Sequence, residues 1–433
     1  MLVTPVYKKG DTCKPENYRA IALLSIPGKV LNKILLNKIR EKREGFTSES
    51  QFGFRPKRGI VDAIFIARQI IQKAKERGVK IHINFVDFKS AFDTIWREAL
   101  WKMLRAIGVN KKIVNIIERM YDKTICSVVV EGYSTEWFEV MIGVRQGCLL
   151  SPTLFNVFLD FVMKEINCLS KDITFDDNLN VDLKYADDTI LISAIYELLQ
   201  LSTSQLEAAC KKFGMKVNAD KSKIMSEDIR DISIDGVNLE KVDSFVLLGS
   251  QVPSTSNDVR RRIVAATAFG NMKETIWTRK DIGRDLKLRL FNALILPIAI
   301  YASETWSLTK EETRALTVFE NNCLRSILGI NRSDRIAIKQ IHQMAGTKSS
   351  IETLIRKRRL TWFGHVCRLP ENSMVKKAME GEFQSKRKRG RSPKRWSDLV
   401  KEDTSLPFAT AKKYAKDRLK WRKLVNTKWC KAS

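Results

Sequence analysis

Apolar residues recur at helical spacing in two segments near the start of the chain. Over residues 25–43, and again over 61–75, they fall three and four positions apart, which predicts two amphipathic helices. Residues 80–88 instead alternate and are rich in β-branched and aromatic types, which indicates a strand ending at Asp87. A third helix is expected from Asp93 onward.

The middle of the chain mixes strand signals with longer apolar helices. Two short apolar runs, 181–185 and 189–192, flank Ala186, Asp187 and Asp188. This pattern predicts a hairpin with carboxylates at its tip. The other predicted elements are a hairpin over 126–130 and 137–140, a buried helix over 151–166 that opens with Ser-Pro, a helix over 198–213 that Gly214 stops, and a strand over 245–248.

Strand signals stop after a polar linker at residues 253–258. Helical spacing dominates beyond it, over 259–278, 285–302 and 310–328. The pattern therefore predicts an α+β unit followed by an α-helical one. A length of 433 residues is enough for two or three packed units.

The charge balance implies a polyanionic partner. Lys and Arg number 77 against 49 Asp and Glu, a formal net charge of +28, which is more than solubility requires. Residues 356–433 hold 24 of the basic residues and 7 of the acidic ones. No apolar run is long enough for a membrane span or a signal peptide, and eight scattered cysteines without a C-x-x-C pair indicate reduced thiols in an intracellular protein.

Three acidic residues carry the strongest chemical signal. If the strand ending at Asp87 lies beside the hairpin of Asp187 and Asp188, three carboxylates converge. Carboxylates so close raise each other's pKa unless a hard cation neutralises them, and oxygen ligands suit Mg²⁺. Two such ions can activate a hydroxyl and stabilise a leaving oxygen in phosphoryl transfer. Asp87 taken alone would more simply be a cap or turn residue.

Seven motifs resemble those of reverse transcriptases. The palm-like motifs are FVDFKSAFD (85–93), GVRQGCLLSPTLFN (143–156), YADD (185–188), GMKVNADKSK (214–223) and FVLLGS (245–250). The motifs NYRAIALLS (17–25) and QFGFRPKRGIVDA (51–63) resemble the fingers of the LINE-type, non-LTR retrotransposon branch. The resemblance covers residues 5–330 and implies an RNA-directed DNA polymerase. Its expected fold is an α+β right hand with fingers, a ferredoxin-like palm, a helical thumb and a basic tail.

The resemblance assigns the chemistry residue by residue. Asp87 and Asp187 are expected to bridge two Mg²⁺ ions, for which Mn²⁺ can substitute. Asp188 would assist, and the carbonyl of Phe88 would complete the coordination. Lys221 matches the position of a lysine that protonates the leaving pyrophosphate.

The same resemblance implies the substrate contacts. Phe92 matches a steric gate, whose ring would clash with a ribose 2′-hydroxyl, although its residue type alone fits a core phenylalanine. Gln146 and Gly147 match a loop beneath the template base and the incoming nucleotide. Arg19 and Lys8 match basic finger positions that grip the triphosphate.

The implied domain boundaries follow the motifs. They are fingers over 1–79, a palm over 80–252, a thumb over 253–330 and a basic nucleic-acid-binding region over 331–433. The implied primer-grip residues are Phe245, Leu248 and Gly249. Family members usually carry finger residues, and often an endonuclease, upstream of the position of Met1. The chain is therefore expected to be an amino-terminally truncated member of the endonuclease-reverse transcriptase family.

The basic tail resembles the ends of LINE-type proteins over 356–370 and 386–396. Trp362, Phe363 and Trp396 are predicted to stack on unpaired bases while the cations bind phosphates. The 386–396 run is also a weak nuclear localisation signal, which suggests the nucleus and cytoplasm. The expected partners are an RNA template, a DNA primer or target and dNTPs, with no membrane.

Three alternatives remain open from the sequence. One is a non-catalytic or domesticated nucleic-acid-binding remnant, against which the complete acidic set argues. Another is a viral-type RNA-templated RNA polymerase. Such enzymes usually have Gly before the paired aspartates, where this chain has Ala186, and a smaller residue at the gate, where this chain has Phe92. The third is a group II intron type enzyme, which the tail fits less well.

Overall fold

The computed structural model describes residues 1–170, 172–347, 349–385 and 394–430. Residues 428–430 are described by their backbone alone. The chain divides into two compact units. The first consists of residues 1–63 and 79–243, and the second of residues 64–78 and 244–433. Among the described residues, no helix combines the length and apolar character needed to cross a bilayer.

The two units contain short strands and mostly short helices. The strands are β1 (Leu2–Tyr7), β2 (Tyr18–Leu23), β3 (His82–Val86), β4 (Ile125–Val130), β5 (Tyr133–Ser134), β6 (Phe138–Glu139), β7 (Asn180–Tyr185), β8 (Asp188–Ser193), β9 (Lys223–Met225), β10 (Ser233–Ile234), β11 (Val237–Asn238), β12 (Glu240–Lys241), β13 (Phe245–Leu247) and β14 (Ser250–Val252). The helices are α1 (Ile26–Phe46), α2 (Ile60–Arg77), α3 (Arg97–Ala106), α4 (Lys111–Tyr121), α5 (Ser151–Lys164), α6 (Tyr196–Lys212), α7 (Thr255–Ala266), α8 (Ala268–Asn271), α9 (Arg284–Leu290), α10 (Leu296–Ala299), α11 (Lys310–Leu328), α12 (Ile338–Ala345), α13 (Ile351–Cys367), α14 (Met374–Glu380), α15 (Trp396–Thr404), α16 (Phe408–Lys416) and α17 (Arg418–Cys430).

A five-stranded sheet in the order β12-β9-β3-β8-β7 forms the centre of the first unit. β3 is buried along its whole length and pairs antiparallel with both β8 and β9. β7 and β8 form the predicted hairpin. The fold therefore places the ends of the predicted strands side by side.

The helix α5 supplies much of the core of this unit. Its predicted start is confirmed, with proline in the first turn, where the missing N–H costs nothing. Phe155 and Phe158 are fully buried. A helix that is apolar around most of its circumference belongs inside a domain, and α5 fixes the position of the loop that precedes it.

Two strands that the hydrophobic pattern does not predict, β1 and β2, open the chain. β1 lies between β2 and β4, but only Leu2 and Val3 pair with β4. Pro5 lies opposite Ala20 of β2, at a position whose nitrogen faces away from β2. Because β4 does not pair with Pro5 on that side, the missing N–H removes no ladder hydrogen bond. Because much of β1 and β2 is exposed, their sequences lack the alternation typical of a half-buried strand.

Two of the three predicted long helices of the second unit are broken. The segment 259–278 contains α7, α8 and a π-helical turn at Lys273–Trp277, and the segment 285–302 contains α9, a π-helical turn at Phe291–Ile295 and α10. Pro297 lies in the first turn of α10, where it interrupts the backbone hydrogen bonds of a continuous helix. The third helix, α11, has the predicted bounds and begins with a capping box.

The basic carboxy-terminal region is a folded helical assembly over its described residues, and the prediction that Phe363 and Trp396 stack on bases is wrong. Phe363 and Trp396 are only 0% and 1% exposed, and Trp396 donates its indole N–H to the Glu304 carbonyl at 2.8 Å. Trp362 is half-buried and packs on Phe65. Phe363 and Trp396 are therefore core rings and are not available to stack on bases, whereas the stacking role of half-buried Trp362 stays a prediction.

Two of the sequence predictions stay predictions. The domain boundaries are one, although the β13–β14 hairpin belongs with the helices of the second unit rather than with the central sheet. The localisation signal over 386–396 is the other, since its positions 386–393 lie outside the described residues.

Candidate active site

The strand register brings Asp87 and the paired aspartates to one edge of the central sheet. Val86, the last residue of β3, pairs with Thr189 of β8. Asp87 therefore leaves β3 beside Asp188, the first residue of β8. Asp87 and the Asp187–Asp188 pair, which are far apart in the chain, become neighbours because their strands are adjacent.

The turn between β7 and β8 contains only two residues. Tyr185 pairs directly with Asp188, which leaves Ala186 and Asp187 to reverse the chain. Ala186 has φ +59°, a left-handed conformation that an alanine adopts at a cost. The strained turn presents Asp187 at the edge of the sheet.

The electrostatics of the three carboxylates agree with this placement. Desolvation, followed by the negative charges of Asp187 and Asp87, raises the pKa of Asp188 to about 6. Desolvation and the charge of Asp87 also raise the pKa of Asp187, which the positive charges of Arg19 and Lys8 oppose. Such mutual repulsion is what a bound divalent cation relieves.

The donor set suits magnesium, although the described residues contain no group of three or more His, Cys, Asp or Glu arranged to hold a metal ion. Carboxylate oxygens are hard ligands that Mg²⁺ prefers. Phe88 forms an isolated bridge with Val217. The hydrogen bonds on that side are made by the Asp87 carbonyl and the Lys89 N–H, so the backbone carbonyl of Phe88 faces the other way, toward β8.

Two residues that the sequence interpretation did not single out hold Asp87. The side chain of Asn218 donates to Asp87 Oδ2 at 3.1 Å, and its backbone N–H donates to the Asp87 carbonyl at 2.8 Å. The hydroxyl of Ser222 accepts the Asp87 N–H at 3.1 Å. Both lie within the motif at 214–223. Their place in that motif is the sequence signal that could have identified them.

Phe92 lies in the loop after β3 and is half-buried. Its ring stacks on Phe155 with centroids 4.6 Å apart and planes 13° apart. Its carbonyl accepts the Val144 N–H at 2.8 Å. The residue is thus held by the core while remaining only half-buried, and its role as a steric gate stays a prediction.

Gln146 and Gly147 pack their loop against β2. The Gln146 carbonyl accepts the Ala22 N–H at 2.7 Å, and its side chain donates to both carboxylate oxygens of Asp93 at 3.1 and 3.2 Å. Gly147 has φ +96°, and a Cβ there would lie 3.1 Å from the Ala22 carbonyl oxygen. The positive φ and this close approach both favour glycine here.

Arg97 anchors the start of the same loop, a role that the sequence did not reveal. Its guanidinium is buried and donates to the carbonyls of Gly143 at 2.8 Å, Val140 at 2.7 Å and Ile142 at 3.1 Å. Buried carbonyls need such donors. An arginine at the start of a helix does not indicate that its guanidinium group binds backbone carbonyls of the segment 140–143.

The two predicted finger cations lie on neighbouring strands. Arg19 pairs with Val6 across β1 and β2, and Lys8 follows β1, with its N–H donated to the Asn17 carbonyl. Both side chains are exposed. Their positive charges oppose the rise in the pKa of Asp187.

Lys221 lies on an exposed turn between the segment that contacts Asp87 and β9. Its N–H donates to the Asn218 carbonyl at 3.3 Å. The structure places its backbone near the site, but no described contact joins its ammonium group to the three carboxylates. Its role as a proton donor stays a prediction.

The predicted primer-grip residues form a tight hairpin in the second unit. Leu248 and Gly249 have φ of +48° and +82°, as a two-residue hairpin turn requires, and Phe245 is half-buried in β13. The Tyr301 hydroxyl donates to the Leu248 carbonyl at 2.9 Å. Arg261 donates to the Gly249 carbonyl at 2.6 Å, so the tip is held by the helices around it.

Residues 6–252 match the family model described as reverse transcriptase (RNA-dependent DNA polymerase). The chain belongs to this family. The match contains the whole predicted palm and most of the predicted fingers. It confirms the resemblance and, with the mixed sheets and helices described above, the predicted α+β right-hand polymerase fold.

Curated relatives of this reverse transcriptase family chain come from mobile elements. A putative uncharacterized transposon-derived protein of Caenorhabditis elegans is 26% identical, covering 56% of this chain and 94% of that protein. Two Drosophila melanogaster proteins follow: the retrovirus-related Pol polyprotein from a type-2 retrotransposable element (26% identity, 66% and 26% coverage) and the probable RNA-directed DNA polymerase from transposon BS (24%, 72% and 36%). The chain thus spans about a quarter to a third of the two fly proteins, and the predicted non-LTR retrotransposon origin is confirmed.

Among solved structures, telomerase from Candida albicans in complex with a fragment of telomeric RNA is similar. It is 14% identical with a TM-score of 0.38, over 83% of this chain and 62% of the telomerase chain.

Proposed function

We propose that the chain is the RNA-directed DNA polymerase of a LINE-type retrotransposon, which transfers a nucleotide from a dNTP to a primer 3′-hydroxyl on an RNA template. The observation that carries this proposal is the register of β3, β8 and β7, which aligns Asp87 with Asp187 and Asp188. The family match supports the reaction class.

Two Mg²⁺ ions, or Mn²⁺ in their place, would be held by Asp87 and Asp187, with help from Asp188 and the carbonyl of Phe88. When bound, such ions supply activation of the attacking hydroxyl and charge stabilisation of the leaving oxygen. Asn218 and Ser222 fix Asp87 through its backbone and its carboxylate. A fixed ligand costs less reorganisation during the reaction.

The remaining residues bind and select the nucleotide. Arg19 and Lys8 grip the triphosphate, and Lys221 protonates the pyrophosphate as it leaves. Phe92, braced by its stack on the core, excludes a ribose 2′-hydroxyl. Gln146, with Gly147 close to β2, supports the template base and the nucleotide.

The net charge of +28 suits an RNA template and a DNA primer or target. The hairpin with Phe245, Leu248 and Gly249 holds the primer end. We place the protein inside the cell, in the nucleus and cytoplasm, where such templates occur.

Primer extension on an RNA template with dNTPs and Mg²⁺ tests the proposal. Wild type should extend the primer, and Asp187→Ala should abolish extension without loss of folding. Asp177→Ala, at an exposed position on the loop before β7, is the matched control and should extend normally. Wild type that binds RNA but never extends the primer would favour the alternative of a non-catalytic nucleic-acid-binding remnant. Preference for ribonucleotides would favour an RNA polymerase.

A further inference from the structure

A short finger segment extends the central sheet beyond β7. Gln51 forms a parallel bridge with Lys184. The Lys184 N–H donates to the Ser50 carbonyl, and its own carbonyl accepts the Phe52 N–H, both at 2.8 Å. The segment 50–53 therefore travels along the strand that leads directly into the turn of the paired aspartates.

The side chain of Gln51 reaches that turn. It is fully buried, and its amide oxygen accepts the Ala186 N–H at 3.1 Å and the Gly53 N–H at 2.9 Å. Its amide nitrogen is buried and has no hydrogen-bond partner among the described residues. Burying an amide that is half-satisfied is unfavourable, so the contact made by the oxygen is the feature that needs explanation.

The backbone beside Gln51 leaves the turn no room to relax. A Cβ at Gly53 would lie 2.3 Å from the Ala186 nitrogen, closer than any side chain could approach. Ala186 itself is held at φ +59°, where an alanine is strained. Strained conformations persist when the surrounding structure over-determines them, and here the segment 50–53 supplies that constraint.

We propose that Gln51 is a positioning residue of the polymerase reaction, whose amide oxygen holds the turn at Ala186 so that Asp187 and Asp188 meet Asp87. The inference rests on the proposed function for its catalytic consequence. It makes the finger segment 50–53 a mechanical brace of the metal site, since a shift of that segment would release the turn.

Gln51→Met is the informative variant. Methionine has nearly the same length, lacks the acceptor, and removes the buried nitrogen that has no partner. In hydrogen exchange, the Ala186 amide should exchange about fivefold faster or more, as expected from the loss of one hydrogen bond. Primer extension should fall by about ten- to a hundredfold, the range found when a residue that orients metal ligands is replaced.

Two further variants sharpen the test. Gln51→Asn, one methylene shorter, should give the same exchange increase and serves if Gln51→Met does not fold. Adding Ala186→Gly to Gln51→Met should restore part of the extension activity, because glycine adopts positive φ without a brace. A residue that merely stabilised the fold would not be rescued at the turn.

Gln200→Met is the matched control. Gln200 also accepts a backbone N–H, that of Ser233 at 3.0 Å, but it lies on α6 and does not contact the turn. It should leave extension and Ala186 exchange unchanged. Folded Gln51→Met and Gln51→Asn variants with wild-type exchange at Ala186 would overturn the inference. If wild type cannot extend a primer, the proposed function fails, while the exchange result still decides whether Gln51 holds the turn.

Discussion

At the scale of single residues, Phe92 stacks on the core and is the proposed steric gate. Phe92→Val removes both the gate and the stack on Phe155. Discrimination against ribonucleotides should fall by roughly ten- to a hundredfold, since a pocket that loses a steric contact loses about 1–3 kcal/mol of selectivity. The measurement is the ratio of kcat/KM for a dNTP and the matching rNTP.

Phe155→Leu is the control for that variant, because it removes the stack and keeps the gate. Both variants should lower the unfolding temperature, since each loses buried aromatic contacts. Only Phe92→Val should admit ribonucleotides. Unchanged selectivity in Phe92→Val would show that the ring is a core element and nothing more.

A second prediction concerns Glu320, which is buried on α11 and accepts the Ile351 N–H with both carboxylate oxygens at 3.0 Å. Burial raises its pKa from 4.5 to about 7. Between these values the folded protein retains a proton that the unfolded chain has released, so stability falls as pH rises through this window. The resulting change in the free energy of unfolding is at most about 3 kcal/mol.

Glu320→Gln keeps an acceptor for the Ile351 N–H and removes the ionisation. The variant should be more stable than wild type at pH 8 and lose most of the pH dependence between pH 6 and 8, above the pKa of Asp188, as followed by thermal unfolding. Glu311→Gln, at an exposed site on the same helix, should change neither. A wild-type slope that survives in Glu320→Gln would refute the assignment.

At the scale of elements, the β13–β14 hairpin is fixed along β14 by one buried carboxylate. Asp258 is fully buried and accepts from Arg68 at 3.0 Å, the Ser250 hydroxyl at 2.6 Å and the Trp306 indole at 2.9 Å. Burial lowers the pKa of Arg68, while Asp258 opposes that change. The pair ties α2 and α7 to the hairpin within the second unit.

Asp258→Asn should destabilise the second unit by about 3–5 kcal/mol, because Arg68 would be left buried without its counter-charge. Combining it with Arg68→Met should recover part of that loss. Hydrogen exchange in the segment 245–252 should report the change. Asp285→Asn, at a side chain that is 91% exposed, should have no effect. Additive single and double losses would show that the two side chains are not coupled.

Elements with a strong local signal could be predicted from the sequence, and elements defined by distant partners could not. α11 carries its own capping box and ends at Gly329 with φ +69°, so its bounds follow from neighbouring residues. β1 is a strand only because β2 and β4 pair with it. The helix expected from Asp93 begins at Arg97, since residues 89–93 form turns that place Phe92.

The candidate site shows the same division. Asp87, Asp187 and Asp188 are each marked by a local pattern of strand and turn. Asn218 and Gln51 act through hydrogen bonds to residues far along the chain, Asp87 and Ala186 respectively, and no spacing rule connects them. The sequence thus predicts the candidate catalytic carboxylates more readily than the residues that hold them.

At the scale of the whole molecule, the basic carboxy-terminal region exposes cationic side chains and buries aromatic rings. The basic carboxy-terminal region was expected to combine phosphate contacts with base stacking, yet Phe363 and Trp396 are core residues. What the described part of this region offers to nucleic acid is therefore mainly its exposed cations. Binding of this kind depends steeply on salt and little on base identity.

The last prediction follows from that separation. Replacing Lys413, Lys416 and Lys423, all exposed, by Gln should reduce the slope of log affinity against log salt for single-stranded RNA by about 0.7 per lysine that contacts a phosphate. Trp396→Phe should lower the unfolding temperature and leave that slope unchanged, because its ring packs inside the helical unit. An unchanged slope in the triple variant would place the phosphate contacts elsewhere on the chain. A reduced slope in Trp396→Phe with normal stability would restore the stacking role that its burial rules out.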